Sequence, residues 1–160
     1  MAWLHTVIDV PTELYASTAE FWQQALGWPL GDQWPGHPEL RSFEPPDGAA
    51  YVHLQQVVGP PRVHVDVECA DPKASIQAAL DRGAEVTGRF ERWVSLRSPG
   101  GKPFCVLPAA ERLAPEPVAW PSGHRSRVVQ VCIDSPGRRH DNEVGFWRHL
   151  LAGRWIDHPS

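Results

Sequence analysis

One strand-and-helix signature occurs twice in this chain, and it limits the possible folds more than any other feature of the sequence. Ile8-Asp9-Val10-Pro11 recurs as Ile133-Asp134-Ser135-Pro136. At the same spacing Phe21-Trp22 falls on Phe146-Trp147, and Leu26 on Leu151. A middle unit starting at Val63 repeats the strand-then-helix order with weaker identity. A fixed internal period means that one supersecondary unit is reused, and that each copy buries its apolar face against a neighbour.

Within the first copy, Thr6, Ile8 and Val10 alternate with His5, Val7 and Asp9, which is the period of a half-buried strand. Pro11 ends that run, Thr12 is placed to cap a helix, and Leu14, Thr18, Phe21, Trp22 and Ala25 recur at helical spacing up to Gly27. Strands are expected at 30–34, 40–43 and 49–58. In the middle copy Val63, Val65 and Val67 alternate with His64, Asp66 and Glu68. Asp71-Pro72 then reads as a cap followed by proline at the first helical position. Ile76, Ala79 and Leu80 form the apolar face of that helix, and Gly83 stops it. Three further strands, 85–90, 93–97 and 103–107, follow, the last two joined by the turn Ser98-Pro99-Gly100-Gly101.

The expected architecture is therefore α+β: paired βαβββ modules at 1–59 and 62–108 forming one domain, 1–108. A proline-rich linker follows at 109–127, then an incomplete third module at 128–160. That last segment offers a strand at 128–133 and a helix face of Val144, Trp147, Leu150 and Leu151. Left in water, the face would forfeit several kcal/mol at ~25 cal/mol per Å2. Residues 128–155 are therefore expected to dock on the first two modules, of this chain or of a second copy, with Trp147 buried. A paired or swapped edge would make the protein a homodimer.

Composition excludes several classes. The net charge is −4 with a pI near 6.0, and no Lys/Arg run stands out, so no nucleic-acid partner is expected. No apolar stretch suits a bilayer and the N-terminus lacks a signal-peptide pattern, so no membrane partner is expected. Cys69, Cys105 and Cys132 are odd in number and far apart, which points to free thiols and a cytoplasmic location. There is no G-x-S-x-G, no Walker A and no G-x-G-x-x-G, so no nucleotide cofactor is expected. Eight tryptophans are many for 160 residues. Trp22 and Trp147 suit the core, whereas Trp3, Trp28, Trp34 and Trp93 are candidates for the lining of a small-molecule pocket.

The order of motifs resembles the vicinal oxygen chelate superfamily, which includes glyoxalase I, bleomycin- and fosfomycin-resistance proteins and extradiol dioxygenases. Two features carry the resemblance. One is His5-Thr6-Val7-Ile8-Asp9-Val10 with Phe21-Trp22 and Leu26-Gly27-Trp28. The other is His64-Val65-Asp66-Val67 leading to Asp71, Leu80, Gly83-Ala84 and the hairpin Ser98-Pro99-Gly100-Gly101-Lys102-Pro103-Phe104-Cys105-Val106. The resemblance implies that the sheets curl into a mixed-sheet cup and that divalent-metal ligands come from the first and last strands of each module. Carried over, those positions are His5, Gln55, His64 and Cys105. Gln55 and Cys105 stand where the family carries Glu, which places catalysis of the glyoxalase I type in doubt.

Around them His53, Asp9, Asp66 and Trp93 are candidates for a substrate pocket. An acid among Asp9, Asp66 and Glu68 could orient an imidazole, or simply be solvated. The implied function is a metal-dependent lyase, isomerase or dioxygenase acting on an oxygen-rich small molecule. The alternative is a metal-free binding protein for a drug or metabolite, like the bleomycin-resistance proteins.

Overall fold

Alternation in the two leading runs produces the two strands on which everything else is built, β1 (Trp3–Val10) and β5 (Arg62–Cys69). The computed structural model describes residues 3–135 and 137–151. They group into two compact units, one of residues 5–64 and 111–132, the other of residues 65–110 with the described parts of 1–4 and 133–160. Each is a mixed α+β body containing a βαβββ motif.

In the first unit β1 leads into α1 (Thr12–Leu26), then β2 (Leu30–Trp34), β3 (His37–Phe43) and β4 (Val52–Gln56). The strand order is β2-β3-β4-β1. β1 and β4 are parallel, with Thr6 opposite Val52 and Asp9 opposite Gln55, while β3 runs antiparallel to both of its neighbours. A parallel pair needs a crossover, and α1 with the β2–β3 hairpin supplies it. Ile8, Val10, Ala19, Leu26, Trp28, Phe43, Val52 and Leu54 form the core between sheet and helix. Trp28, a pocket candidate in sequence, is core, set edge-on against Tyr51 with ring centroids 5.4 Å apart.

Two local expectations for α1 are corrected. Pro11 holds the N-cap position with no side-chain bond, and Thr12 is already helical, its hydroxyl accepting from Gln56 at 2.8 Å. The buried stripe is Tyr15, Ala19, Trp22 and Leu26, and Phe21 stands 60% exposed. Neighbouring residues on a helix differ by about 100°, so Phe21 and Trp22 cannot both face the core here. Gly27 ends the helix in the left-handed conformation at φ 69°.

The second unit repeats the plan with β5, α2 (Pro72–Leu80), β6 (Glu85–Arg89), β7 (Val94–Arg97) and β8 (Pro103–Pro108), in the order β5-β8-β7-β6. β5 and β8 are parallel, with Asp66 opposite Cys105. Asp71 caps α2 by accepting from the Ala74 amide at 2.9 Å, and Pro72 opens the helix, as the sequence predicts. Val65, Val67, Phe104 and Val106 pack toward the helical side. That leaves His64, Asp66 and Cys105 on the other face of the sheet.

The C-terminal third departs from the expected third module. No strand forms at 128–133; these residues have the alternation of a strand, but among the described residues no strand offers them a ladder, and alternation alone does not satisfy a backbone. The segment read as a linker is packed against the first unit. It carries a short hairpin of β9 (Val118–Ala119) and β10 (Arg125–Ser126), and Val118 and Val128 lie on that unit's core. Ala49 donates to the Leu113 carbonyl at 2.8 Å, and the Tyr51 hydroxyl donates to the Val128 carbonyl at 2.7 Å. Burial pushes that phenol above its ordinary range.

Gly48, at φ 67°, faces this strap; a Cβ there would lie 2.7 Å from Leu113 O and from Pro115 N. Gly48→Ala is expected to cost about 1–3 kcal/mol, combining left-handed strain with displacement of the strap. A urea titration against wild type measures it.

α3 (His140–Leu150) belongs instead to the second unit, where Trp147 is 3% exposed and meets Phe104 with ring centroids 5.3 Å apart. Glu143, 2% exposed, accepts from Ser98 Oγ at 2.9 Å, from the Gly100 amide, and from Trp147 Nε1 at 2.9 Å. One buried carboxylate thus ties helix α3 to the β7–β8 turn. The face that suggested docking in sequence is therefore covered within this chain. The part of the segment beyond Leu151, including Trp155, lies outside the described residues.

Candidate functional site

Because Ile8 and Val10 turn toward the core, His5 and Asp9 share the opposite face of β1. Each is buried and each is committed to a different partner. His5 Nδ1 lies 2.9 Å from His53 Nε2. His53 reaches on through Nδ1 to Ser42 Oγ at 2.9 Å, and Ser42 Oγ accepts from Trp34 Nε1 at 3.0 Å. These four side chains come from β1, β4, β3 and β2 in turn, so the whole sheet of the first unit positions them.

Asp9, fully buried, accepts through Oδ2 from Arg62 Nε at 2.8 Å and from His64 Nδ1 at 3.0 Å. Among the described residues no donor reaches its other oxygen, Oδ1. A buried carboxylate oxygen without a donor is costly. Its position beside an imidazole is where an ion or a polar ligand would relieve that cost.

His64, Asp66 and Cys105 bring one nitrogen, one oxygen and one sulfur within 4.8 Å of one another. The register of β5 against β8 accounts for this, since Asp66 and Cys105 are direct partners and His64 lies two residues away on the same face. Ser95 Oγ lies 3.4 Å from the Cys105 sulfur. An aspartate and a thiolate together neutralise a divalent cation, and imidazole with thiolate suits zinc-like first-row ions. Asp9 lies 3.0 Å from the Nδ1 of His64, the kind of contact by which a carboxylate orients a metal-bound imidazole. The residues present therefore fit a metal ion.

The sequence-predicted residues separate as follows. His64, Asp66 and Cys105 come together, and Asp9 stands behind His64. His5 pairs with His53. Gln55 is half-buried, opposite Asp9 in the β1–β4 ladder. Trp93 stacks on Phe90 with centroids 4.9 Å apart. It borders a groove of about 470 Å3 beside α2, together with Ile76, Leu80 and Val106, on the opposite face of the sheet from Asp66 and Cys105. Sequence reasoning missed Ser42, Arg62 and Glu143, whose roles depend on strand register and on a contact between distant segments.

Comparison with known proteins identifies the family of the fold. A family model for a glyoxalase-like domain matches residues 5–107. The chain belongs to that family. It is thereby a member of the vicinal oxygen chelate superfamily. Among solved structures it is similar to the Mn(II)-bound glyoxalase from Novosphingobium aromaticivorans, at 16% identity and a TM-score of 0.64, over 92% of this chain and 51% of that one. It thus spans about half the length of that glyoxalase. Weaker likenesses are to BphC, a halotolerant catechol dioxygenase, at 12% identity over 64% of this chain and 37% of that one (TM-score 0.47). A mutant of 4-hydroxymandelate synthase from Streptomyces coelicolor follows, at 17% identity over 69% and 50% (TM-score 0.44). A search of curated protein sequences finds no match. No helix among the described residues is long and apolar enough to cross a membrane.

Proposed function

We propose that this glyoxalase-like protein is a metal-dependent enzyme acting on a small, oxygen-rich substrate, with His64, Asp66 and Cys105 as the protein ligands of a divalent ion. The observation that carries this reading is the hydrogen bond from His64 Nδ1 to the buried Asp9. A carboxylate held in that place has the effect of turning the imidazole and presenting its lone pair. Arg62 steadies Asp9 from the other side at 2.8 Å. A bound ion would supply Lewis-acid polarisation of substrate oxygens. The Mn(II) of the Novosphingobium glyoxalase supports a divalent metal in a fold of this kind.

Loss of the carboxylate behind the imidazole is expected to matter. Asp9→Asn should weaken metal binding by about 10–100-fold while leaving the secondary structure unchanged. Competition of the purified protein with a chromophoric chelator measures this, and an unchanged affinity would remove Asp9 from the site.

A second reading is favoured by the ligand set itself. Gln55 and Cys105 stand where the superfamily resemblance expects carboxylates, so the base that a glyoxalase I mechanism needs is missing from those strands. On this reading the protein binds a metabolite or drug without a metal. The two separate on metal content: about one equivalent retained through purification supports the enzyme, and none retained or taken up supports the binding protein.

A further inference from the structure

We infer that the groove beside α2 is a second binding site, for a small aromatic carboxylate, on the opposite face of the sheet from Asp66 and Cys105. It lies wholly within the second unit, and its volume of about 470 Å3 is that of a small-molecule site.

Strand register builds the groove. Arg89, Val94 and Val106 are direct partners across β6, β7 and β8, so their side chains rise on one face. Ile76 and Leu80, one helical turn apart on α2, face them across the groove. The tip of the β6–β7 hairpin forms its aromatic wall. There the Phe90 N–H donates to the Trp93 carbonyl at 3.0 Å and closes a tight turn. Trp93 stacks behind Phe90, and a Cβ on Gly88 would lie 2.9 Å from Phe90 Cε2, so the ring rests where only glycine leaves room. Phe90 is thus held in place, yet it is 50% exposed. A fixed, half-exposed ring gives an apolar ligand a surface to cover without further ordering of the side chain.

Charge selects the other end of the ligand. Lys73, Arg89 and Arg92 line the groove against a single acid, Glu91, in a chain whose net charge is −4. Among the described residues none of the three cations is in an ion pair. A guanidinium grips a carboxylate through two parallel N–H bonds. A hydrated anion such as phosphate would leave the apolar wall uncovered, and a hydrocarbon would leave the cations without a partner. A ring bearing one carboxylate satisfies both.

Titration of the 15N-labelled protein with naphthoate, followed in 1H–15N correlation spectra, reads affinity and location together. Saturable shifts are expected at amides of 72–80 and 89–94. Naphthoate should bind at least about tenfold more tightly than the uncharged naphthamide, because only the former pairs with the cations. Arg89→Gln combined with Arg92→Gln should erase that preference and leave naphthamide binding unchanged; Phe90→Ser should weaken both probes. All three positions are exposed, so these variants are expected to fold. Equal affinity for the two probes, or no saturable binding of naphthoate, would overturn the inference. So would shifts centred on Asp66 and Cys105, which would place the anion on the other face of the sheet. Occupancy of the groove requires no metal, so the same shifts are expected with and without added Zn(II), whatever Zn(II) does at Cys105.

Discussion

Replacing Trp147 by alanine will destabilise the second unit by about 3–5 kcal/mol, the cost of removing a large aromatic side chain from a closed core. Trp147 packs on Phe104 and Phe146, and it is also a donor to Glu143. Its loss leaves both a cavity and a buried carboxylate short of one bond, and a second, smaller charge-related penalty follows from the latter. The midpoint of urea unfolding reports the sum. Trp147→Phe should recover part of it, because the apolar volume returns and the indole N–H does not. A change below about 1 kcal/mol for Trp147→Ala would mean that α3 is not an integral part of this unit.

The second large effect concerns chemistry. His64→Ala should abolish stoichiometric metal binding, weakening affinity by more than the roughly 100-fold expected for changes to residues that only orient a ligand. Three ligating groups are a minimum for a catalytic ion, and the loss of one leaves an aspartate and a thiol that no longer define a site. The variant also takes one donor from the buried Asp9 carboxylate, so stability in urea should fall by about 1–3 kcal/mol while the metal affinity falls much further. Equal metal affinity in wild type and His64→Ala would show that any bound ion sits elsewhere.

Much of the fold was legible because each module states its plan locally. Val65 and Val67 against His64 and Asp66 announce a two-sided strand, Asp71-Pro72 announces a helix start, and Gly27 announces a helix end. The recurring Phe-Trp pair was also legible as a repeat, but its meaning was not. Trp22 faces its core while Phe21 does not, whereas Phe146 and Trp147 are both buried, because the two helices meet different surroundings. Alternation at 128–133 gave a strand that does not form, since a strand exists only with a partner and pairing is not written into the segment itself. Glu143 illustrates the same limit: on the sequence it is one more acid on a helix, and only the approach of the Ser98–Gly101 turn makes it a buried acceptor.

The candidate site divides along the same line. The alternation placed His5 and Asp9 on one face, and His64 and Asp66 on another strand's equivalent face. Register then decided the rest. Asp66 meets Cys105 because β5 and β8 pair in that phase, and His53 meets Ser42 because β4 and β3 pair in theirs. A shift of one residue would turn each of these side chains to the opposite face of its sheet.

The metal assignment itself is tested most directly by titrating the apo protein with Co(II) and recording its absorption spectrum. The account predicts one equivalent bound and a thiolate-to-cobalt charge-transfer band that disappears in Cys105→Ser, with binding lost in His64→Ala. Saturable binding without that band would remove Cys105 from the ligand set, and no stoichiometric binding at all would contradict the metal centre and leave the metal-free binding protein as the function of this fold.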